Sequence, residues 1–303
     1  MFLLLSLLSS VTANNNNNNP LINNNTSLTA QHCNSRGGCD CDCYWANSNT
    51  CASDDGSCCF GCCCGSSPSP PSSLTKYCPS SNDITAAYGS PSIFDGGWAV
   101  YGSGGAATKA SYNLLGGYVE YDIDFSNVRT GVNANIYTVS PTFWGEFSNN
   151  NYCDGAKTGS GFCLEVDWIE TNGNCGAATT LHTVEGPGPN GCTSWGCTTS
   201  YYYNGRSSFH MRIEYDTDGT WRTYHDGILI NPWNLSPTPG SYDWNQVVNM
   251  YSSRGAVIYS SQWTGWVPVS DCGTYGDLYS SSFSVKNLVI YGSVVNGPTP
   301  RQC

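Results

Sequence analysis

The sequence predicts an all-β domain, a two-sheet sandwich of jelly-roll type, preceded by a small Cys-rich disulfide module. Three observations carry that expectation. No segment holds a sustained helical period of apolar residues. From residue 76 onward, short runs alternate apolar with polar residues and end in turn-forming residues. The composition, with 34 Gly, 20 Tyr and 10 Trp in 303 residues, suits many short strands joined by tight turns.

Charge narrows the function classes. The chain carries 11 Lys+Arg against 22 Asp+Glu, a net charge of −11, with no basic cluster. Phosphate backbones are held by clustered cations, so nucleic acid is excluded as an expected partner. An acidic surface rich in aromatic residues suits a neutral ligand such as a polysaccharide. No cofactor or metal is expected, and the protein is expected to act as a monomer.

The elements follow in chain order. Residues 1–13, Met1-Phe2-Leu3-Leu4-Leu5 through Val11-Thr12-Ala13, resemble a signal peptide: the apolar stretch is too short to span a bilayer and ends in small residues. A secreted, extracellular protein without membrane attachment after cleavage is therefore expected. Eighteen Cys point the same way, because disulfides persist in oxidising compartments. Asn24-Asn25-Thr26 and Asn25-Thr26-Ser27 are acceptor sequences for glycans there.

Residues 14–32 are Asn-rich and too polar to bury a core, so disorder is expected. Residues 33–64 hold ten Cys, and residues 65–75 read as an extended Pro/Ser linker. The remaining eight Cys lie in the main domain, 76–303. Each segment has an even number, so each can close its own bridges, although the pairing does not follow from sequence. The Cys-rich module reads as a metal-thiolate cluster, a structural disulfide knot or a carbohydrate-binding module with Tyr44, Trp45 and Phe60 as stacking rings, and the signal sequence favours disulfides over metal.

Within the main domain, residues 117–125 alternate Val119, Tyr121, Ile123 and Phe125 against polar positions, and residues 209–215 do the same. Asp216-Thr217-Asp218-Gly219 is a hairpin turn into the return strand 220–224, and His225-Asp226-Gly227 turns again into 228–230. Residues 256–259 and 285–291 are further strands.

One run stands apart. Glu165-Val166-Asp167-Trp168-Ile169-Glu170 concentrates three carboxylates in a chain otherwise poor in charge. Apolar residues precede it and Thr171-Asn172-Gly173 follows, which reads as a buried strand leaving its sheet. Strand alternation puts Val166 and Trp168 on one face and Glu165 and Asp167 on the other, leaving Glu170 out of phase by one. A single β-bulge between Asp167 and Glu170 restores it, and bulges re-aim side chains beside active sites. Glycoside hydrolysis uses such a carboxylate pair, about 5 Å apart in retaining enzymes. The other readings of the run are a solvated acidic strand and an oxygen-ligand Ca²⁺ site.

The chain resembles glycoside hydrolase family 16, of the concanavalin A-like glucanases, over about residues 90–295. The matching elements are Gly116-Gly117-Tyr118-Val119-Glu120-Tyr121, the Glu-x-Asp-x-x-Glu run from Glu165 to Glu170, and Thr180-Leu181-His182-Thr183. Ser208-Phe209-His210 with Asp226-Gly227, and the closing strand 285–291, follow in the same order. Trp168 stands where that family has a small aliphatic residue, and its Trp-Pro before the acids is missing. Cys163 and the high Cys content resemble family 7 cellulases, which carry the same acid spacing on a related sandwich with longer loops.

The resemblance implies Glu165 as nucleophile, Glu170 as general acid/base, and Asp167 as the residue that separates their pKa values. It implies a retaining endo-β-glycosidase acting on a β-1,3- or mixed β-1,3/1,4-glucan, with a family 7-like cellulase, a transglycosylase or a non-catalytic wall protein as the alternatives. His182 follows the acids across a Gly/Asn turn and is expected beside them. Trp144, Trp263 and Trp266 are the expected sugar platforms, the last two on a Gly-containing loop where binding residues gather.

Overall fold

The structure, a computed structural model, describes residues 73–139, 165–182, 197–203, 205–230 and 247–303, together with the strands at 43–47 and 50–53. The expected signal peptide, the Asn-rich segment, most of the Cys-rich module and the linker lie outside the described residues, as does Trp144.

Among the described residues the regular elements are strands, apart from three 3₁₀ turns and a short α-helical stretch at 247–249 that runs into a π-helical turn at Met250–Arg254. In chain order they are β1 (Cys43–Asn47), β2 (Thr50–Ser53), β3 (Thr75–Tyr77), β4 (Ile84–Tyr88), β5 (Ser92–Phe94) and β6 (Gly97–Tyr101). They continue with β7 (Gly105–Thr108), β8 (Ser111–Asp124), β9 (Asn133–Val139), β10 (Glu165–Asn172), β11 (Gly176–His182) and β12 (Cys197–Tyr202). The last are β13 (Ser208–Tyr215), β14 (Trp221–His225), β15 (Ile228–Leu229), β16 (Val257–Trp263) and β17 (Ser282–Asn296). No helix among the described residues is long and apolar enough to cross a membrane.

Two antiparallel sheets form the sandwich. One is seven-stranded, in the order β12-β11-β10-β9-β16-β7-β4; the other has the order β15-β14-β13-β8-β17-β6-β5, with β3 also paired to β17. Both inner faces feed one apolar core. Val119, Tyr121, Ile123 and Phe125 reach it from β8 and the residue after it, and Phe209, Met211, Ile213 and Tyr215 from β13. Ala134 and Ile136 of β9, Val166 and Trp168 of β10, and Ala177 and Leu181 of β11 meet them from the opposite sheet. The period-two alternation visible in the sequence is therefore the inside–outside alternation of the sandwich.

The expected hairpins are present. Tyr215 pairs with Trp221 across the first turn, and Asp226 and Gly227 take positive φ (48° and 79°) in the second, as a tight two-residue hairpin requires. Strand β8 begins at Ser111, earlier than its apolar alternation suggests, because Gly116 at φ 75° breaks the pattern without ending the pairing with β17.

A second, smaller apolar cluster lies on the outer face of the seven-stranded sheet: Ala87, Ala107, Tyr137, Val139, Val257 and Tyr259. A sheet face turned to plain solvent has no need of such a cluster. This face carries the acids.

Candidate active site

Strand β10 is central in its sheet, between β9 and β11, which accounts for the burial of all eight of its residues. Its ladder is interrupted at the expected place. Against β11 the register shifts between Asp167, opposite Thr180, and Glu170, opposite Ala178. Against β9 it shifts between Asp167, opposite Tyr137, and Ile169, opposite Ile136. Both shifts amount to one extra residue on β10, a β-bulge. Val166, Trp168 and Ile169 all enter the main core. Two consecutive inward residues return Glu170 to the face shared by Glu165 and Asp167.

Trp168 fixes the inward side of the bulge. Its Nε1 donates to the Tyr215 hydroxyl at 2.6 Å, and its ring stacks on Tyr121 at 6.2 Å between centroids. Tyr251 also donates to the Tyr215 oxygen (2.7 Å), and the Thr138 hydroxyl lies 2.7 Å from that of Tyr251. Since the Tyr251 proton is used on Tyr215, Thr138 is the donor in that last pair. The chain ties β10, β13, the π-helical turn and β9 together directly beneath the acids.

On the outward side, Glu170 accepts from Asn133 Nδ2 and from Thr180 Oγ1, each at 3.1 Å. Burial pushes its carboxyl above the usual carboxylate range, while the charge of His182 and these two donors act in the opposite sense. Asp167 faces His182, whose Nε2 is 3.0 Å from Asp167 Oδ2. Glu165 pairs across the ladder with His182 on one side and Val139 on the other. Its charge reaches Tyr88, whose hydroxyl is raised chiefly by burial, offset by a hydrogen bond with Ser261 and reinforced by Glu165.

The structure thus brings Glu165, Asp167, Glu170 and His182 together. Trp263 joins them on the same face: it stands opposite Asn133 in the β16–β9 ladder and is 37% exposed. Trp266, 47% exposed, lies on the segment that follows β16. Sequence reasoning missed Asn133, Thr180 and Tyr88. Asn133 and Asn135 alternate with the apolar Ala134 and Ile136, a polar stripe that marks a functional face once β9 is recognised as a strand. Asn135 completes the stripe, accepting from both the backbone N–H and the hydroxyl of Ser261 at 2.9 and 2.7 Å.

Asp167, Glu170 and His182 also offer two carboxylate oxygens and an imidazole nitrogen within 4.8 Å of one another, donor types a zinc-class ion accepts. Of the three, Glu170 accepts hydrogen bonds from Asn133 and Thr180, while Asp167 and His182 face each other as an ion pair in which Asp167 Oδ2 and His182 Nδ1 are buried without a hydrogen bond. A buried carboxyl of raised pKa beside a second carboxylate on one strand is the kind of pair that general acid/base chemistry with a nucleophile uses.

No protein-family model matches the chain, and no curated protein matches it. Among solved structures it is similar to a family 7 cellobiohydrolase from Daphnia pulex, at 15% identity over 65% of this chain and 79% of that one, with a TM-score of 0.46. It is similar to the native endocellulase EGI of Humicola insolens, at 16% identity over 63% and 75%, TM-score 0.42. It is also similar to an apo Crh5 transglycosylase, at 12% identity over 77% and 89%, TM-score 0.43. At such identities and scores these likenesses carry no argument about function, and the site stands on its own geometry.

Proposed function

We propose that this chain is a secreted retaining endo-β-glycosidase that hydrolyses a β-1,3- or mixed β-1,3/1,4-glucan. The observation that carries the reading is the bulge in β10, which turns Glu165, Asp167 and Glu170 to one face, with Glu170 buried and its carboxyl raised. A raised pKa lets a carboxyl keep its proton to higher pH, which suits the donor to a departing glycosidic oxygen.

In the proposed cycle the Glu165 carboxylate attacks the anomeric carbon. Glu170 gives its proton to the leaving oxygen as the glycosidic bond breaks, and a glycosyl ester on Glu165 forms. The ionised Glu170 then takes a proton from water, whose oxygen displaces Glu165 and restores the original anomeric configuration. Asp167, engaged by His182, keeps a fixed place between the two. In this reading Asp167 is the residue that separates the pKa values of Glu165 and Glu170. The disulfides Cys78–Cys303 and Cys175–Cys272 suit an oxidising, extracellular setting.

The test is reducing-sugar release from laminarin, lichenan, carboxymethyl cellulose, xyloglucan and an agar-type galactan. Laminarin and lichenan are expected to yield oligosaccharides; release from carboxymethyl cellulose alone indicates a cellulase instead. Glu165→Gln and Glu170→Gln are each expected to reduce the rate by at least ~10³-fold while leaving the fold intact. Full activity in either variant sinks the assignment, and binding without product from any polymer points to a lectin.

A further inference from the structure

We propose that Tyr275, Tyr279 and Tyr101 form a second glycan-binding platform at the end of the sandwich, beyond the acids, which holds a long uncharged polysaccharide chain. The inference rests on the reading of the acid face as a glycosidase site and extends it to a surface that reading does not use.

Tyr275 is 96% exposed, Tyr279 90% and Tyr101 57%, in a chain that buries Tyr77, Tyr112, Tyr121, Tyr203, Tyr215 and Tyr251. Scattered exposed rings need no explanation, but three on adjoining backbone do. Tyr101 pairs with Ser282 at the start of β17, and a Cβ on Gly102 would lie 3.9 Å from Tyr279 Cα. Tyr101 and Tyr279 therefore share one patch.

The backbone beneath the rings is closely packed and hydrogen-bonded. A Cβ on Gly131, itself at φ 83°, would lie 2.3 Å from the Tyr275 carbonyl carbon, and one on Gly276 would lie 2.4 Å from the Thr130 oxygen. Residues 275–276 thus sit directly on the 130–131 turn. Asp277 caps the 3₁₀ turn Leu278–Ser280 by accepting from the Tyr279 N–H at 3.0 Å. Upstream, the buried Asn172 donates to the carbonyls of Val269 (3.1 Å) and Gly273 (2.9 Å), and Cys272 is bridged to Cys175. Rings projected into solvent from a fixed base are preorganised for a ligand, since little backbone freedom is lost on binding.

Position and charge identify the occupant. Gly131, under Tyr275, is two residues from Asn133, which donates to Glu170 and stands opposite Trp263. The tyrosines therefore continue from the Trp263 end of the acid face. Between Arg254 and Lys286 the chain has no Lys or Arg. Its two acids there are both engaged, Asp277 in the cap and Asp271 by the Tyr202 hydroxyl at 2.8 Å. The adjoining Arg129 donates to Ser280 Oγ. Two carboxylates against one guanidinium leave the surroundings weakly acidic, which disfavours an anionic chain, and the neutral rings with hydroxyl tips match the C–H faces and hydroxyls of uncharged sugars.

The test is native affinity electrophoresis through gels containing laminarin, lichenan, hydroxyethyl cellulose or, as the charged control, alginate. The parent is the full chain carrying Glu165→Gln, so that hydrolysis does not intervene, and it is compared with the same chain carrying Tyr101→Ala, Tyr275→Ala and Tyr279→Ala. At least one neutral polymer is expected to retard the parent, and the triple substitution to weaken that retardation at least about fivefold. Phe at the three positions is expected to retain most of it, and an unchanged melting temperature certifies the fold.

In the active chain, the triple Ala substitution is expected to raise KM for the polymer while kcat/KM for a tetrasaccharide stays within about twofold. Equal retardation of parent and triple variant overturns the platform, as does tighter binding of alginate than of every neutral polymer. A concentration-dependent dimer that only the parent forms, in place of retardation, also overturns it. Retardation lost in the triple variant, with no hydrolysis by the unsubstituted chain, upholds the platform and sinks the glycosidase reading alone.

Discussion

Glu170 sits in opposing influences, and in the proposed cycle their balance sets the pH range of activity. Burial raises its carboxyl, and the charge of His182 with the hydrogen bonds from Asn133 and Thr180 draws it back. Both donors favour the ionised form, so removing either raises the pKa further. A general acid acts while protonated, and activity falls as pH rises through its pKa. Thr180→Val keeps the shape of the side chain and deletes the donor. Its kcat/KM profile is expected to move its alkaline limb up by roughly 0.5–1 pH unit, with the acid limb unchanged. A downward shift is the contrary result, and a pH titration on a soluble substrate distinguishes the two. The carboxylates themselves were legible in the sequence because acids are scarce in this chain and these three are crowded on one run. Asn133 and Thr180 were not, because they reach Glu170 from neighbouring strands, and which strands neighbour β10 is decided by the register of the sheet.

The acid arrangement of β10 depends on its bulge, and the bulge depends on what lies beneath it. Counting alternation along 165–170 shows that one extra residue is needed, and the structure has it, with Trp168 and Ile169 both turned inward. The anchoring chain from Trp168 through Tyr215 and Tyr251 to Thr138 was not legible, since its four members come from four separate elements. It also explains why a large ring occupies this position: the indole spans the core to a hydroxyl on the facing sheet. Trp168→Phe removes the donor and leaves part of its volume empty. The expected cost is about 2–3 kcal/mol of stability, read as a lower midpoint in urea at unchanged slope. Activity of the folded fraction is expected to fall as well, because a loosened bulge no longer fixes Glu170 against Glu165. A variant as stable as the parent counts against the anchor.

At the scale of the whole molecule, a clasp joins β3 to the last residues of the chain. Cys78 follows β3 and is bonded to Cys303, a separation of 225 residues. Around the bridge, Cys78 N–H donates to Arg301 O (2.9 Å) and Cys303 N–H to Lys76 O (3.1 Å), while the Arg301 guanidinium reaches Cys78 O (3.0 Å) and Asp95 (3.1 Å). The even number of Cys in this segment allowed such a bridge but did not pair its members, since pairing follows from which strands meet and not from spacing. Strand β3 joins the sheet through β17, which also pairs with β8 and β6, so the clasp fastens a strand of the sheet opposite the acids. Linking residues so far apart removes more freedom from the unfolded chain than a short loop does, about 5 kcal/mol at 25 °C in the chain-entropy account. Replacing both Cys78 and Cys303 by Ser is therefore expected to lower unfolding free energy by up to about 5 kcal/mol in urea titrations. The kcat on a short oligosaccharide is expected to stay near the parent's below the new transition, because none of the clasp residues lies on the acid face. A loss of kcat without a loss of stability reverses that assignment and makes the clasp part of the site.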